Sequence, residues 1–171
     1  MRQIILSITV ISFLVFQSCS NGSTNAQTNA NEPEQLADNI TSSEISGETI
    51  QITKADFLEK IMNYEENPEV WKFEGNKPCI VDFYADWCAP CRITSPILEE
   101  LAAEYAGKIN IYKVDTDAER ELAAVFGIQS IPSFLFCPVE GKPTMTSGIA
   151  QSKEETKEMF RKQIDEILLK K

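Results

Sequence analysis

The sequence predicts an α/β domain with a central mixed β-sheet flanked by helices on both faces. Three observations carry that expectation. From about residue 53 onward, apolar residues switch between helical spacing and short continuous runs, giving the order helix, strand, helix, strand, helix, hairpin, helix. The run at 79–84 is apolar at nearly every position, which suits a strand covered on both sides. A chain of 171 residues, 43% hydrophobic and 25% charged, suits one globular domain with appendages.

Residues 1–19 read as a processing signal. Met1 and Arg2 open a short positive segment, and an apolar run at 4–16 follows, broken only by Ser7, Thr9 and Ser12. As a helix that run spans roughly 20 Å, short of the roughly 30 Å hydrocarbon core. It therefore reads as a signal core and not as a membrane span. Ser18 before Cys19 resembles the box at which bacterial lipoproteins are cleaved and lipidated, although Phe16 and Gln17 depart from its usual residues. The alternative is an ordinary secretory signal with an incidental Cys19. Both readings place the mature domain in an oxidising compartment. The lipid reading makes it periplasmic and held to a bacterial membrane only through the N-terminal anchor.

Residues 20–48 are rich in Asn, Ser, Thr and Ala, and they carry Glu32, Glu34, Asp38, Glu44 and Glu48 with no Lys or Arg. Too little apolar area is present to offset chain entropy, so a disordered tether is expected, reaching on the order of 30 Å.

The folded domain is expected over 49–171. A capping-box-like start at Thr53 and Asp56, with Phe57, Leu58, Ile61, Met62 and Tyr64 behind it, predicts a helix over 53–65. Pro68 and Gly75 bracket a loop whose Val70, Trp71 and Phe73 are expected to cover the core edge. A buried strand follows at 79–84. The helix expected over 90–105 contains Pro96, which lacks the amide donor and predicts a kink. A strand at 109–114 and a short helix at 119–126, stopped by Gly127, come next. Strands at 133–137 and 144–149, separated by Pro138, Gly141 and Pro143, suit an antiparallel hairpin. The last helix, 153–169, gathers Met159, Phe160, Ile164, Ile167 and Leu168 on one face.

Composition excludes several function classes. The chain has no histidine, and with it go the Ser-His-Asp triad, the Cys-His pair and histidine-ligated metal. A net charge of -10 repels phosphate backbones and anionic membrane surfaces, so no nucleic-acid partner is expected.

The chemistry gathers at Trp87-Cys88-Ala89-Pro90-Cys91. Two cysteines with two residues between them, at a strand-to-helix turn, can close a small disulfide. The amides and dipole of the helix start favour thiolate at the first sulfur. Cys88 is thus the expected nucleophile and Cys91, one turn on, the buried resolving thiol. Pro90 suits the first helical turn and stiffens it. The same spacing begins zinc ribbons, but that reading needs two further ligands. The other cysteines of the domain, Cys79 and Cys137, are not a second closely spaced pair. Asp82 interrupts an apolar strand, where a buried carboxyl has its pKa raised by loss of hydration; the alternative is a side chain facing solvent. Trp87 reads as a lid beside Cys88, as core, or as both. Cys79 and Cys137 fall near one another if their strands pair antiparallel, either as a second disulfide or as buried free thiols.

The segment Val81-Asp82-Phe83-Tyr84-Ala85-Asp86-Trp87-Cys88-Ala89-Pro90-Cys91 resembles the active-site segment of thioredoxins. Pro96 resembles the family's helix proline, Lys113 its strand lysine, Ile131-Pro132 its cis-proline loop and Gly148 its glycine after the last strand. The resemblance runs over about 53–170 and departs at Ala89, where glycine is commonest, and at Ser133, where threonine is usual. It implies a thioredoxin-like fold and a thiol-disulfide oxidoreductase with no cofactor beyond its redox-active disulfide and no metal. It assigns Asp82 the proton transfer with Cys91 and makes Lys113 its charge partner. It places Trp87, Ala89, Pro90, Ile131, Pro132 and Gly148 against the client.

The expected clients are disulfide-containing exported proteins, and the compartment implies a membrane thiol-disulfide electron carrier as reductant. Three alternatives are a reductant dedicated to apocytochrome maturation, a disulfide-forming oxidant, and a redox-silent binding module. The first usually carries an insertion absent here. Ile131 resembles reductants more than oxidants, and the intact cysteine pair argues against the silent module.

Overall fold

The structure, a computed structural model, describes residues 47–171; the expected signal, Cys19 and residues 20–46 of the expected tether lie outside them. The elements are β1 (Ile50–Gln51), α1 (Lys54–Lys60), β2 (Cys79–Tyr84), α2 (Ala89–Glu104), β3 (Asn110–Asp115), α3 (Arg120–Val125), β4 (Ser133–Cys137), β5 (Thr144–Ser147) and α4 (Lys153–Gln163). A π-helical turn, Ile164–Leu168, continues α4.

Among the described residues, five strands form one mixed sheet in the order β1-β3-β2-β4-β5. β1, β3 and β2 run parallel, and β4 lies antiparallel to β2, as β5 does to β4. Because side chains alternate faces along a strand, Cys79, Val81 and Phe83 of β2 enter one core layer with Phe57 of α1 and Leu122 of α3. Ile80 enters the other, with Leu98 and Leu101 of α2 and Phe160 of α4. Asp82 shares the parity of Ile80 and so points toward α2. Lys113 shares that of Ile111, on the same face.

Several elements differ from the sequence expectation. β1 is an addition: two residues carry no periodic signal, yet Ile50 is buried and the pair closes the sheet edge against Tyr112 and Lys113. α1 ends at Lys60 and not at 65. Its capping box is formed by Thr53 and Asp56, but the Ile61 carbonyl leaves the helix to accept the Glu74 amide at 3.0 Å. Ile61 and Met62 are buried beyond the helix, which is why their spacing imitates its continuation. In the following loop Trp71 and Phe73 pack on the core, whereas Val70 is exposed. β5 stops at Ser147 because Gly148 takes φ +82°, a left-handed turn conformation that glycine adopts without strain.

Candidate active site

β2 ends at Tyr84, and the chain turns through Ala85 to Trp87 before α2 begins. Cys88 is the N-cap of α2, with extended backbone, and the Cys91 amide donates to its Sγ at 3.1 Å. Pro90 falls in the first helical turn, where amides have no intrahelical acceptor and a missing donor is harmless. Cys88 and Cys91 are joined as a disulfide, with Cα atoms 5.2 Å apart. Each is 3% exposed. Burial therefore does not separate the two; the cap position and the donated amide do. Both stabilise negative charge at the Cys88 sulfur. Ala89, Pro90 and Arg92 are exposed around them.

Trp87 is 68% exposed, so it contributes no core. Its indole N–H donates to Asp117 Oδ2 at 2.7 Å, which fixes the ring on the surface beside the disulfide. From Trp87 a cleft of about 470 Å³ runs past Arg120, Ala124 and Ile128 to Ile131. The Ile131-Pro132 peptide is cis. The sheet brings it to this end of the molecule, because Ser133, the next residue, pairs with Phe83 near the exit of β2. The Pro132 carbonyl accepts the Gly148 amide at 3.0 Å, joining two of the residues singled out in the sequence.

Asp82 is fully buried, and neither carboxylate oxygen has a hydrogen-bond partner. Loss of hydration pushes its pKa from 3.8 up to about 7, and the positive charge of Lys113 partly opposes that rise. Asp82 and Lys113 are register partners on β2 and β3. The Lys113 ammonium nevertheless donates to Ser95 Oγ at 2.7 Å and lies 4.7 Å from the centre of the Tyr84 ring. Tyr84, Ser95 and Lys113 line a second cavity of about 470 Å³, with Asp86, Cys91 and Arg92 on its wall and Asp82 buried outside its lining.

Ser95 and Asp117 have no place in the sequence expectation, and Tyr84 stands there only as part of the active-site segment, with no role of its own. Ser95 carried a usable signal, since it lies four residues after Cys91 and hence on the same helix face. Among the described residues no group of three or more His, Cys, Asp or Glu is arranged to hold a metal ion. Cys79 begins β2 and Cys137 ends β4, so they sit at the other end of β2 from the disulfide and supply no ligands to a zinc site there.

A family model described as Thioredoxin matches residues 48–162. A thioredoxin from Borreliella burgdorferi is 46% identical over 102 residues, covering 60% of this chain and 86% of that protein. Thioredoxin 1 of a Nostoc species is 34% identical over 98 residues, covering 57% of this chain and 81% of the relative. Among solved structures, an N21Q mutant thioredoxin from Halobacterium salinarum superposes with a TM-score of 0.51 at 22% identity, over 68% of this chain and 91% of that one. The fold is thus that of thioredoxin. Thioredoxins need no cofactor beyond their redox-active cysteines. By its fold, its strand-to-helix disulfide and these relatives, the chain belongs to the thioredoxin family of thiol-disulfide oxidoreductases.

Proposed function

We propose that this oxidoreductase reduces disulfides of exported proteins from a lipid anchor at Cys19, with Cys88 as nucleophile, Cys91 as resolving thiol and Asp82 as proton carrier. The observation that carries the reading is the Cys88–Cys91 disulfide at a helix start, together with a fully buried carboxyl, Asp82, that has no hydrogen-bond partner and lies on the strand leading into that helix.

The Cys88 thiolate attacks one sulfur of a client disulfide and expels the other as thiolate, leaving a mixed disulfide. Cys91 passes its proton to the Asp82 carboxylate, and the resulting thiolate attacks Cys88 Sγ. The second client thiolate leaves, and the Cys88–Cys91 disulfide reforms. Two electrons have moved from the enzyme dithiol to the client. A carboxyl with a pKa of about 7 is half ionised at neutral pH and serves as both acceptor and donor. The client segment lies along Trp87, Ala89, Pro90, Ile131, Pro132 and Gly148, using extended backbone as in strand addition. Lys113 adjusts the charge felt by Asp82. A membrane carrier of the thiol-disulfide class returns the two electrons, because a periplasmic enzyme has no cytosolic reductase beside it. The domain, 49–171, reaches clients at the end of the tether formed by 20–48.

The reading is tested by titrating the Cys88–Cys91 couple against glutathione and dithiothreitol. A potential at the reducing end of the family range is expected, and one at the oxidising end would reverse the direction of electron flow. Mass spectrometry of the native N-terminus is expected to find lipidated Cys19; an unlipidated terminus elsewhere would remove the anchor.

A further inference from the structure

We infer that Ser95 is a positioning residue for proton transfer between Cys91 and Asp82: its hydroxyl holds the Lys113 ammonium on the α2 side of the cavity and out of a direct ion pair with Asp82. This rests on the proton role proposed for Asp82 and extends it to a residue outside the matched motif.

Asp82 and Lys113 are register partners on adjacent parallel strands and point to the same face, with backbones about 4.8 Å apart. A four-carbon stem can bring the ammonium to that carboxylate, which is the stronger acceptor of the two on offer. The ammonium instead bonds Ser95 Oγ at 2.7 Å, over the Tyr84 ring, and both Asp82 oxygens lack partners. The balance is close. An inward pair gains attraction but strips the ammonium of water, a penalty that offsets most buried ion pairs. At the cavity wall the ammonium keeps partial exposure, an aromatic face and the serine hydroxyl. Removing the hydroxyl takes away the one directed bond that favours the outer position.

The other groups around the cavity that holds the ammonium do not duplicate this control. Cys91 and Arg92 face the cavity from α2, and Tyr84 and Asp86 from β2 and the turn after it. Tyr84 is committed through its hydroxyl to Gln51 Oε1 at 2.9 Å, and the Arg92 guanidinium donates to the Asp86 carbonyl at 3.1 Å. Asp115, at the end of β3, adds negative charge near Tyr84. Across the other strand boundary Asp82 pairs with Phe134, which does not titrate. An ammonium in contact with Asp82 holds the carboxyl ionised and unable to return a proton near neutrality. Held at Ser95, it leaves the carboxyl free to exchange.

The test measures single-turnover reduction of a protein disulfide by the fully reduced full chain, from about pH 5 to about pH 9. The wild type, Ser95→Ala, Ser95→Thr, Asp82→Asn and the Asp82→Asn/Ser95→Ala double variant are compared. Ser95→Ala is expected to lower the midpoint of the pH profile by about half a unit or more, the size expected when a cation moves a few ångströms closer at high effective dielectric. Ser95→Thr, which keeps the hydroxyl, is expected to restore the wild-type midpoint. In the Asp82→Asn background, Ser95→Ala is expected to add no shift. A midpoint that is unmoved or raised in Ser95→Ala, while Asp82→Asn still alters the profile, overturns the role of Ser95 alone. A profile unchanged by Asp82→Asn overturns the proton role of Asp82, and this inference with it.

Discussion

Cys79 and Cys137 stand directly opposite one another across β2 and β4, both fully buried and both free thiols. One protein thus carries two cysteine pairs in opposite states at the two ends of the same strand. The Cys88–Cys91 pair faces helix amides that favour thiolate. The Cys79–Cys137 pair lies in the apolar core, with the Cys137 thiol directed at the Leu135 carbonyl at 3.8 Å, and burial together with the neighbouring thiol pushes Cys137 well above the usual thiol range.

Since thiolate is the reactive form, the inner pair is expected to be inert while the fold is intact. An alkylating reagent should label neither Cys79 nor Cys137 in the native oxidised protein and both in denaturant without reductant. A Cys79–Cys137 disulfide peptide recovered after oxidation would refute this.

Asp82 binds its proton more tightly folded than unfolded, with a pKa of about 7 against 3.8. Between those values the native state holds the extra proton, so stability falls as pH rises through the window, and the loss is complete above the folded value. At about 1.4 kcal/mol per unit the full span is on the order of 4 kcal/mol. Urea unfolding of the oxidised protein is expected to show the wild type losing about 2–4 kcal/mol relative to Asp82→Asn between about pH 4 and about pH 8. Parallel pH curves for the two proteins would contradict the assignment.

Trp87 is held at the surface by Asp117 and contributes little burial. Trp87→Ala is expected to change stability by less than about 1 kcal/mol while raising KM for a protein disulfide several-fold. Asp117→Ala should raise KM in the same direction but less, since it frees the ring without deleting it. A loss confined to kcat would instead place the indole in the chemical step.

Phe160 of α4 is fully buried and meets Phe134 of β4 edge to face, with ring centroids 4.8 Å apart. Phe160→Ala is expected to cost about 3–5 kcal/mol, from lost burial and a residual cavity. Thermal melts should fall accordingly, and the reduction potential of the disulfide should stay near that of the wild type, because the ring lies in the core layer and lines neither active-site cavity.

The strands and the reactive loop were legible because their signals are local. β2 and β4 fall where apolar runs are bounded by Pro78, Pro132 and Pro138, and Cys88 through Cys91 announce their chemistry by spacing. β1 was not legible, since two residues owe their strand state wholly to β3. The length of α1 is not legible either, because Ile61 and Met62 are buried in irregular backbone at helical spacing. The pattern of β2 points to a buried Asp82 but leaves a solvent-facing side chain open, and the core layer under α2 decides for burial. The partner of Lys113 does not, because choosing Ser95 over Asp82 depends on where α2 crosses the sheet, and that is settled by packing far along the chain.

β1 also sets how the domain responds to tension. It is the first strand after Gly47 and the outermost on its side of the sheet, with two residues paired to β3. Its Gln51 accepts the Tyr84 hydroxyl, and the Ile52 amide just beyond donates to the Lys113 carbonyl at 2.9 Å. A pull on the chain from its N-terminal side loads this short strip first. The residues that peel with it brace Tyr84 and Lys113, and Ile50 and Ile52 belong to the core layer, so a force too weak to unfold the domain disturbs the charge balance around Asp82 and one edge of the core together.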